Sequence, residues 1–481
     1  MKKADEEDKN TEEQLSYPSS VVLLLRFQTV SDASQTEDSQ PSPVEQTPSH
    51  LFLGPITRTI TQREFINLKT KPKESKQKKE DDNKPFPLGF AVETASRSGR
   101  DGDPLIELGF MFESGRNIPL TEEEDLELDK ELQSLNKPPV KIIKQTFSGD
   151  LFDCIEKYKQ PAFDHPALKN HKLQMRPSFQ TKNNVTMDEN FKSLLDPGFN
   201  DTCPPGTVLI RRTRKEDLII SKELTKYFRN YGSGYRVRDD SVGQNYYAIV
   251  RSKNSSFYGF RSKISTWALP NVGPDQVSAS QVWIMGDIDG PDGSLNAIQS
   301  GWHTNGYRTG CMNLNCKGFV QVSANYAPGY AFPKVSLYRG KPEYLDLLIA
   351  KDPKSGNWWL TLPCGGLTGS VDIGYWPKEL FPNLEISSYI DFGGQVYTPN
   401  NEASPPMGSG SFPEEGFGRA SHFMQAQFIG TDHQAFTPSE GSVYTENDSL
   451  DNYYKVSGDP PESGDFNVYY GGQGGLIAAT G

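Results

Sequence analysis

Tyr344-Leu-Asp-Leu-Leu-Ile-Ala350 and, just after it, Trp358-Trp-Leu-Thr-Leu362 decide the fold class of this chain. Both are short apolar runs, bounded by turn formers and rich in aromatic and aliphatic residues, which is the pattern of buried strands. The same texture extends outward from them over everything after Cys203. Val208-Leu-Ile210, Tyr246-Tyr-Ala-Ile-Val250, Gln281-Val-Trp-Ile284, Gly318-Phe-Val-Gln-Val322 and Ser388-Tyr-Ile-Asp-Phe392 are further strand candidates. Gly, Pro and Asn turns separate them, and abundant Tyr and Phe suit cross-strand pairing. Regular short strands of this kind predict an all-β sandwich or barrel. Lys215 to Tyr227 is the one plausible short helix in this part.

Before Cys203 the chain reads differently. Residues 1–118 are polar, charged and rich in Ser, Thr, Gln and Pro, and are expected to be disordered and of low complexity. The basic cluster Lys69 to Lys79 is interleaved with acids, so it reads as a solvated linker rather than an import signal. Val21-Val-Leu-Leu-Leu25 is too short for a signal h-region and lies behind an acidic leader. It reads as a short strand-like or disordered patch, and no intact signal peptide is recognised.

Thr121-Glu-Glu-Glu124 is a capping-box signature, and Leu128, Leu132 and Leu135 then fall on one helical face. Pro138-Pro139 ends that helix, and Val140-Lys-Ile-Ile143 is strand-like. The unit over 119–178 is too small to stand alone and is expected to dock on the larger β-rich region, 203–481. A polar connector over 179–202 joins the two.

Bulk properties exclude several functions. The chain has 481 residues, only 35% hydrophobic, and a formal charge of −12. With a pI near 5.2 and a mean hydropathy of −0.63, a basic nucleic-acid face is not expected. No apolar run approaches the ~18 residues of a membrane span. There is no Gly-x-Ser-x-Gly, His-Glu-x-x-His or Walker loop, and no cofactor is implied. Asp287-Ile-Asp-Gly-Pro-Asp-Gly293 has the wrong spacing for a calcium loop and reads as a turn, so no metal site is expected.

Five cysteines are present, and Cys311 and Cys316 close a tight loop with no second ligand pair nearby. A hairpin disulfide is the better reading than zinc, and it implies an oxidising compartment. Sequons at Asn184, Asn200, Asn254 and Asn447 agree with glycosylation on a secretory route.

Leu126 to Lys141, followed by Gln160-Pro-Ala-Phe-Asp-His-Pro-Ala-Leu-Lys-Asn-His-Lys-Leu-Gln-Met-Arg-Pro177, resembles the activation peptide of the neprosin family. Cys203-Pro-Pro-Gly-Thr-Val-Leu-Ile-Arg-Arg212, Ser280-Gln-Val-Trp283, Ser300-Gly-Trp302, Thr309 to Gln321, Gly356-Asn-Trp-Trp-Leu360, Ile373-Gly-Tyr-Trp-Pro377, Phe392-Gly-Gly-Gln-Val396 and Met407-Gly-Ser-Gly410 resemble its peptidase domain in order. The resemblance implies an antiparallel β-sandwich of two stacked sheets, jelly-roll or concanavalin-like, with a small α+β pro-segment. It also implies a zymogen-like glutamic peptidase that acts in acid and cleaves after proline. Two glutamates carry that chemistry: one activates a water, and the other donates a proton or stabilises the oxyanion.

The positions that match those glutamates are Gln299 and Gln395. An amide keeps its hydrogen bonds but neither takes nor gives a proton at mildly acidic pH. Asp391 shares a strand face with Gln395 but lies roughly 13 Å away, too far to replace it. The segment after Trp302 is also short, only His303 to Thr309 before Gly310-Cys311, which is expected to open a sheet edge or reshape the groove. Trp302 and Tyr397 are expected in the substrate groove. The family's C-terminal Cys-Tyr pair reads Tyr453-Tyr454 here, and Cys154 is expected to pair instead with Cys203.

The functional expectation is a secreted or cell-wall pseudopeptidase that binds proline-rich peptide or a cell-wall component and is held by its own pro-segment. An active acid, proline-directed endopeptidase is the alternative. Neither nucleic acid nor membrane is an expected partner.

Overall fold

In the computed structural model the described residues are 20–27, 121–145, 149–179, 199, 201–219, 243–269, 271–273, 276–287, 296–304, 317–332, 334–363, 370–447, 452–458 and 464–476. They form two large sheets and one small one. The seven-stranded sheet is ordered β10 (Ala331–Phe332), β1 (Ser20–Phe27), β8 (Asn296–Thr304), β7 (Val277–Gly286), β14 (Tyr389–Pro399), β5 (Gly243–Ser252) and β17 (Val443–Asn447). The nine-stranded sheet runs β18 (Lys455–Ser457), β19 (Val468–Gly471), β15 (Ser421–Gly430), β6 (Phe257–Ser265), β11 (Tyr344–Lys351), β12 (Trp358–Leu362), β13 (Val371–Trp376) and β9 (Val320–Gln321), with β16 (Ala435–Phe436) beside β15. Every pairing between these strands is antiparallel except the two made by β1.

The two large sheets stack face to face, as the all-β sandwich reading requires. Alternate residues of each strand point into one shared core. Phe260 on β6 meets Phe392 on β14 at 4.8 Å between ring centroids, and Phe423 on β15 stands 5.3 Å from Phe392. Trp302, Trp358 and Trp376 are fully buried in this layer. The Trp302 Nε1–H donates to the Ser265 carbonyl across the sandwich at 2.9 Å. Trp302, expected beside the substrate groove, faces the core, one residue out of phase with the opposite face.

The small sheet, β2 (Lys141–Lys144), β3 (Leu151–Glu156) and β4 (Thr207–Arg211), joins the pro-segment to the larger region. Helix α1 (Glu122–Leu135) precedes it, with the anticipated capping box between Thr121 and Glu124 and with Leu128 and Leu135 buried. Residues 215–219 are helical, and the rest of the helix expected up to Tyr227 lies outside the described residues. The expected boundary at 179–202 separates β3 from β4, yet those strands pair over five residues. Cys154 on β3 and Cys203 are disulfide-bonded, with Cα atoms 5.4 Å apart.

Beyond β3 the pro-segment lies on the outer face of the nine-stranded sheet. Ala162 and Leu168 pack against Val320, Val322, Trp359 and Tyr375. The Gln160 side chain exchanges hydrogen bonds with the backbone of Gln321, and the Tyr375 hydroxyl contacts His171 Nε2 at 2.9 Å. Val21–Leu25, the aliphatic run of the N-terminal region, forms the middle of β1. The remaining low-complexity expectation for 1–118 lies outside the described residues.

Candidate functional site

Strand register decides which residues can meet on the outer face of the seven-stranded sheet. Gln299 on β8 is opposite Trp283 on β7, which is opposite Asp391 on β14, which is opposite Arg251 on β5. Two residues along the strands, Gly301, Gln281, Gly393 and Ile249 form the next row. The third row is His303, Ala279, Gln395 and Tyr247. Side chains of these three rows share one face because the strand period is two.

Gln299 and Gln395 therefore lie on the same face but diagonally across it. Two strand spacings separate them sideways and four residues along the strand, about 16 Å between Cα atoms at ordinary sheet spacings. Between them stands Gln281, flanked by Gly301 and Gly393. A Cβ on Gly301 would lie 2.0 Å from the Ser280 carbonyl oxygen, so the close approach of β8 to β7 requires glycine there.

Gln281 Nε2 donates to Gln395 Oε1 at 2.7 Å. The Gln395 Nε2 in turn donates to Asn245 Oδ1 at 2.9 Å and to the Tyr247 hydroxyl at 3.1 Å. Gln281 Oε1 is buried with no hydrogen-bond partner among the described residues. Both glutamines are buried, Gln299 being 4% and Gln395 1% exposed. Tyr397 shares this face two residues beyond Gln395 and is buried as well.

Among the described residues of these rows and the neighbouring β17, the carboxylates are Asp391 and Glu446. Asp391 takes a two-pronged grip from Arg251, with Nε at 2.9 Å from Oδ1, and Glu446 reaches Arg251 Nη1 at 3.0 Å. Two acids share one guanidinium, so burial outweighs the pull of Arg251 and pushes the Asp391 carboxyl up to about 7. Its side chain is turned toward β5, away from β8 and Gln299.

Gln281 belongs to the Ser280-Gln-Val-Trp283 motif, but sequence alone assigns it no role. The signal was present: it lies two residues before Trp283 on a strand. Its glycine neighbours, however, come from distant segments and only register brings them together. Of the expected glycosylation sites, Asn254 is exposed in the turn between β5 and β6. Asn447 is half-buried, and its Nδ2 donates to the Tyr454 carbonyl at 2.7 Å. Asn184, Asn200, Cys311 and Cys316 lie outside the described residues. At the position of the missing family cysteine, the Tyr453 hydroxyl donates to the Leu476 carbonyl at 2.7 Å. Buried Tyr454 donates to Ser404 Oγ at 2.6 Å.

Two family profiles match the chain. The Neprosin activation peptide profile matches residues 143–251, and the Neprosin profile matches residues 274–473. The first match runs through β3, the disulfide and β4 into β5, so it crosses the boundary expected at 179–202 in the same way as the small sheet does. The second contains β7, β8 and β14, the strands that carry the amide rows. With its pro-segment, sandwich and two profile matches in order, the chain belongs to the neprosin family.

Proposed function

We propose that this protein is a secreted neprosin-like pseudopeptidase, which binds an extended, proline-containing peptide on the outer face of the seven-stranded sheet without cleaving it. The observation that carries the reading is the set of amides on this face, Gln299, Gln281 and Gln395. Gln299 and Gln395 stand where the resemblance places the catalytic glutamates, and Gln395 is bonded through Gln281 rather than to any carboxylate. Amides hydrogen-bond a peptide carbonyl or N–H but cannot accept a proton from water. General acid–base help is typically worth ~10²–10⁴-fold, so its loss removes most turnover. The Cys154–Cys203 disulfide suits an oxidising, extracellular setting.

The alternative, an acid-active endopeptidase, draws on Asp391, a carboxyl that titrates near neutrality in the row of Gln299. Its commitment to Arg251 on the far side of β14 argues against it as a general base toward β8.

The test uses the full chain, both intact and nicked in the 180–198 connector, incubated with a fluorescent proline-rich peptide between pH 2.5 and pH 7. Binding without new peptide termini is expected. The pair Gln299→Glu with Gln395→Glu should recover measurable cleavage in acid. Proline-directed cleavage by the unmodified protein that copurifies with it through successive columns would overturn the reading.

A further inference from the structure

The edge of β8 that faces away from β7 is covered by a strand from the other end of the chain. β1 runs parallel to β8 with seven residues in register, from Ser20 opposite Ala297 to Arg26 opposite His303. On its other side, Arg26 and Phe27 pair with Ala331 and Phe332 of β10. β8 forms one wall of a slot along most of β1, and β10 forms the other at the last two residues of β1.

Both walls are held by contacts that do not involve β1. β8 pairs with β7 over nine residues. The Tyr330 and Phe332 rings stand 5.7 Å apart, and Gln145 Nε2 donates to the Ala331 carbonyl at 3.1 Å. An empty slot would leave the outward N–H and C=O groups of β8 without ladder partners, a template for any extended peptide. The walls also set the chemistry of the occupant. Ser300 on β8 and Phe332 on β10 line an apolar cavity of about 20 Å³ together with Tyr330, Leu347, Leu360 and Ile373. A strand donor with aliphatic residues suits it, backbone bonds supplying affinity and the apolar wall supplying selection. Val21-Val-Leu-Leu-Leu25 is such a run, the longest unbroken aliphatic stretch of residues 1–118.

We infer that the gap between β8 and β10 is a strand-accepting site for an extended aliphatic peptide in parallel register, and that the chain's own Ser20–Phe27 is its resident donor. The inference stands whether or not the amide face binds peptide.

Amide hydrogen exchange on the full chain tests it first. Residues 20–27 and 297–303 should exchange at least ~10²-fold more slowly than unfolded chain, as paired strands do. Exchange of 20–27 at the unfolded rate would overturn the inference, and this measurement needs no variant. The second experiment uses full-length Leu24→Pro and a biotinylated peptide with the sequence Ser20–Phe27. Proline removes an N–H and excludes the segment from a central strand position. The variant should lose protection at 20–27, keep it in β7 and β14, and capture the peptide, while the wild type captures none. A variant that keeps protection in β7 and β14 yet captures no peptide counts against the site. So does equal capture of a peptide of the same composition with proline at its centre.

Discussion

Gln395 has every polar hydrogen and its carbonyl oxygen engaged, and this network is more demanding than a solvated groove residue would need. Its Oε1 depends on the Gln281 amide, and its Nε2 divides between Asn245 and Tyr247. Gln281→Leu removes that donor while leaving Gln395 Oε1 buried. An acceptor stranded in this way costs ~1–3 kcal/mol. The expected result is a lower urea midpoint with an unchanged slope. A midpoint unchanged within error would show that Gln281 does not support Gln395.

At the scale of elements, the decisive unit is the β3–β4 pair. One strand comes from the pro-segment and the other from the region after the connector, and Cys154–Cys203 ties them across 49 residues of chain. A protease nick anywhere in 180–198 should yield two pieces that migrate together without reductant and separate with it. The nicked pro-segment should also remain on Trp359 and Tyr375 in native gel filtration. Free release of the N-terminal piece under non-reducing conditions would contradict the tether. Replacing both cysteines by serine removes a constraint on the unfolded chain worth roughly 4 kcal/mol for a loop of this length in the chain-entropy treatment. Urea unfolding of the intact double variant measures that loss.

The molecule as a whole carries buried carboxylates whose protons the folded state retains. Burial pushes Asp391 up to about 7 and Asp346 up to about 6, against an unfolded value of ~3.9. Between those values the native state binds more protons than the unfolded chain. Stability from these groups is therefore fully present below about pH 4 and is lost as pH rises through 6 to 7. His422 opposes them, since burial lowers its value and costs stability as pH falls below the unfolded ~6.5. Asp217 and Asp352, held below the usual carboxylate range, give up their contribution only in stronger acid.

Three raised carboxyls, Asp346, Asp372 and Asp391, against two lowered imidazoles, His165 and His422, place the maximum in mild acid. Urea midpoints should be higher at pH 5 than at pH 7.5. Asp391→Asn combined with Asp346→Asn should flatten that difference. A midpoint that climbs steadily from pH 5 to pH 7.5 in the wild type would refute the assignment.

Local chemistry is what made much of this protein readable in one dimension. The capping box at Thr121 and the strand runs at Tyr344–Ala350 and Trp358–Leu362 follow from periodicity and side-chain type, which neighbouring residues settle among themselves. The resemblance added the family and the two glutamine positions. Register across the sheet lay beyond both, because it depends on how segments more than a hundred residues apart slide into place. Only the assembled sheet puts Gln281 between Gln299 and Gln395, turns Trp302 into the core and commits Asp391 to Arg251. The fate of Val21–Leu25 was likewise undecided in the sequence: an aliphatic run states that it can be a strand, and only a waiting slot between β8 and β10 makes it one.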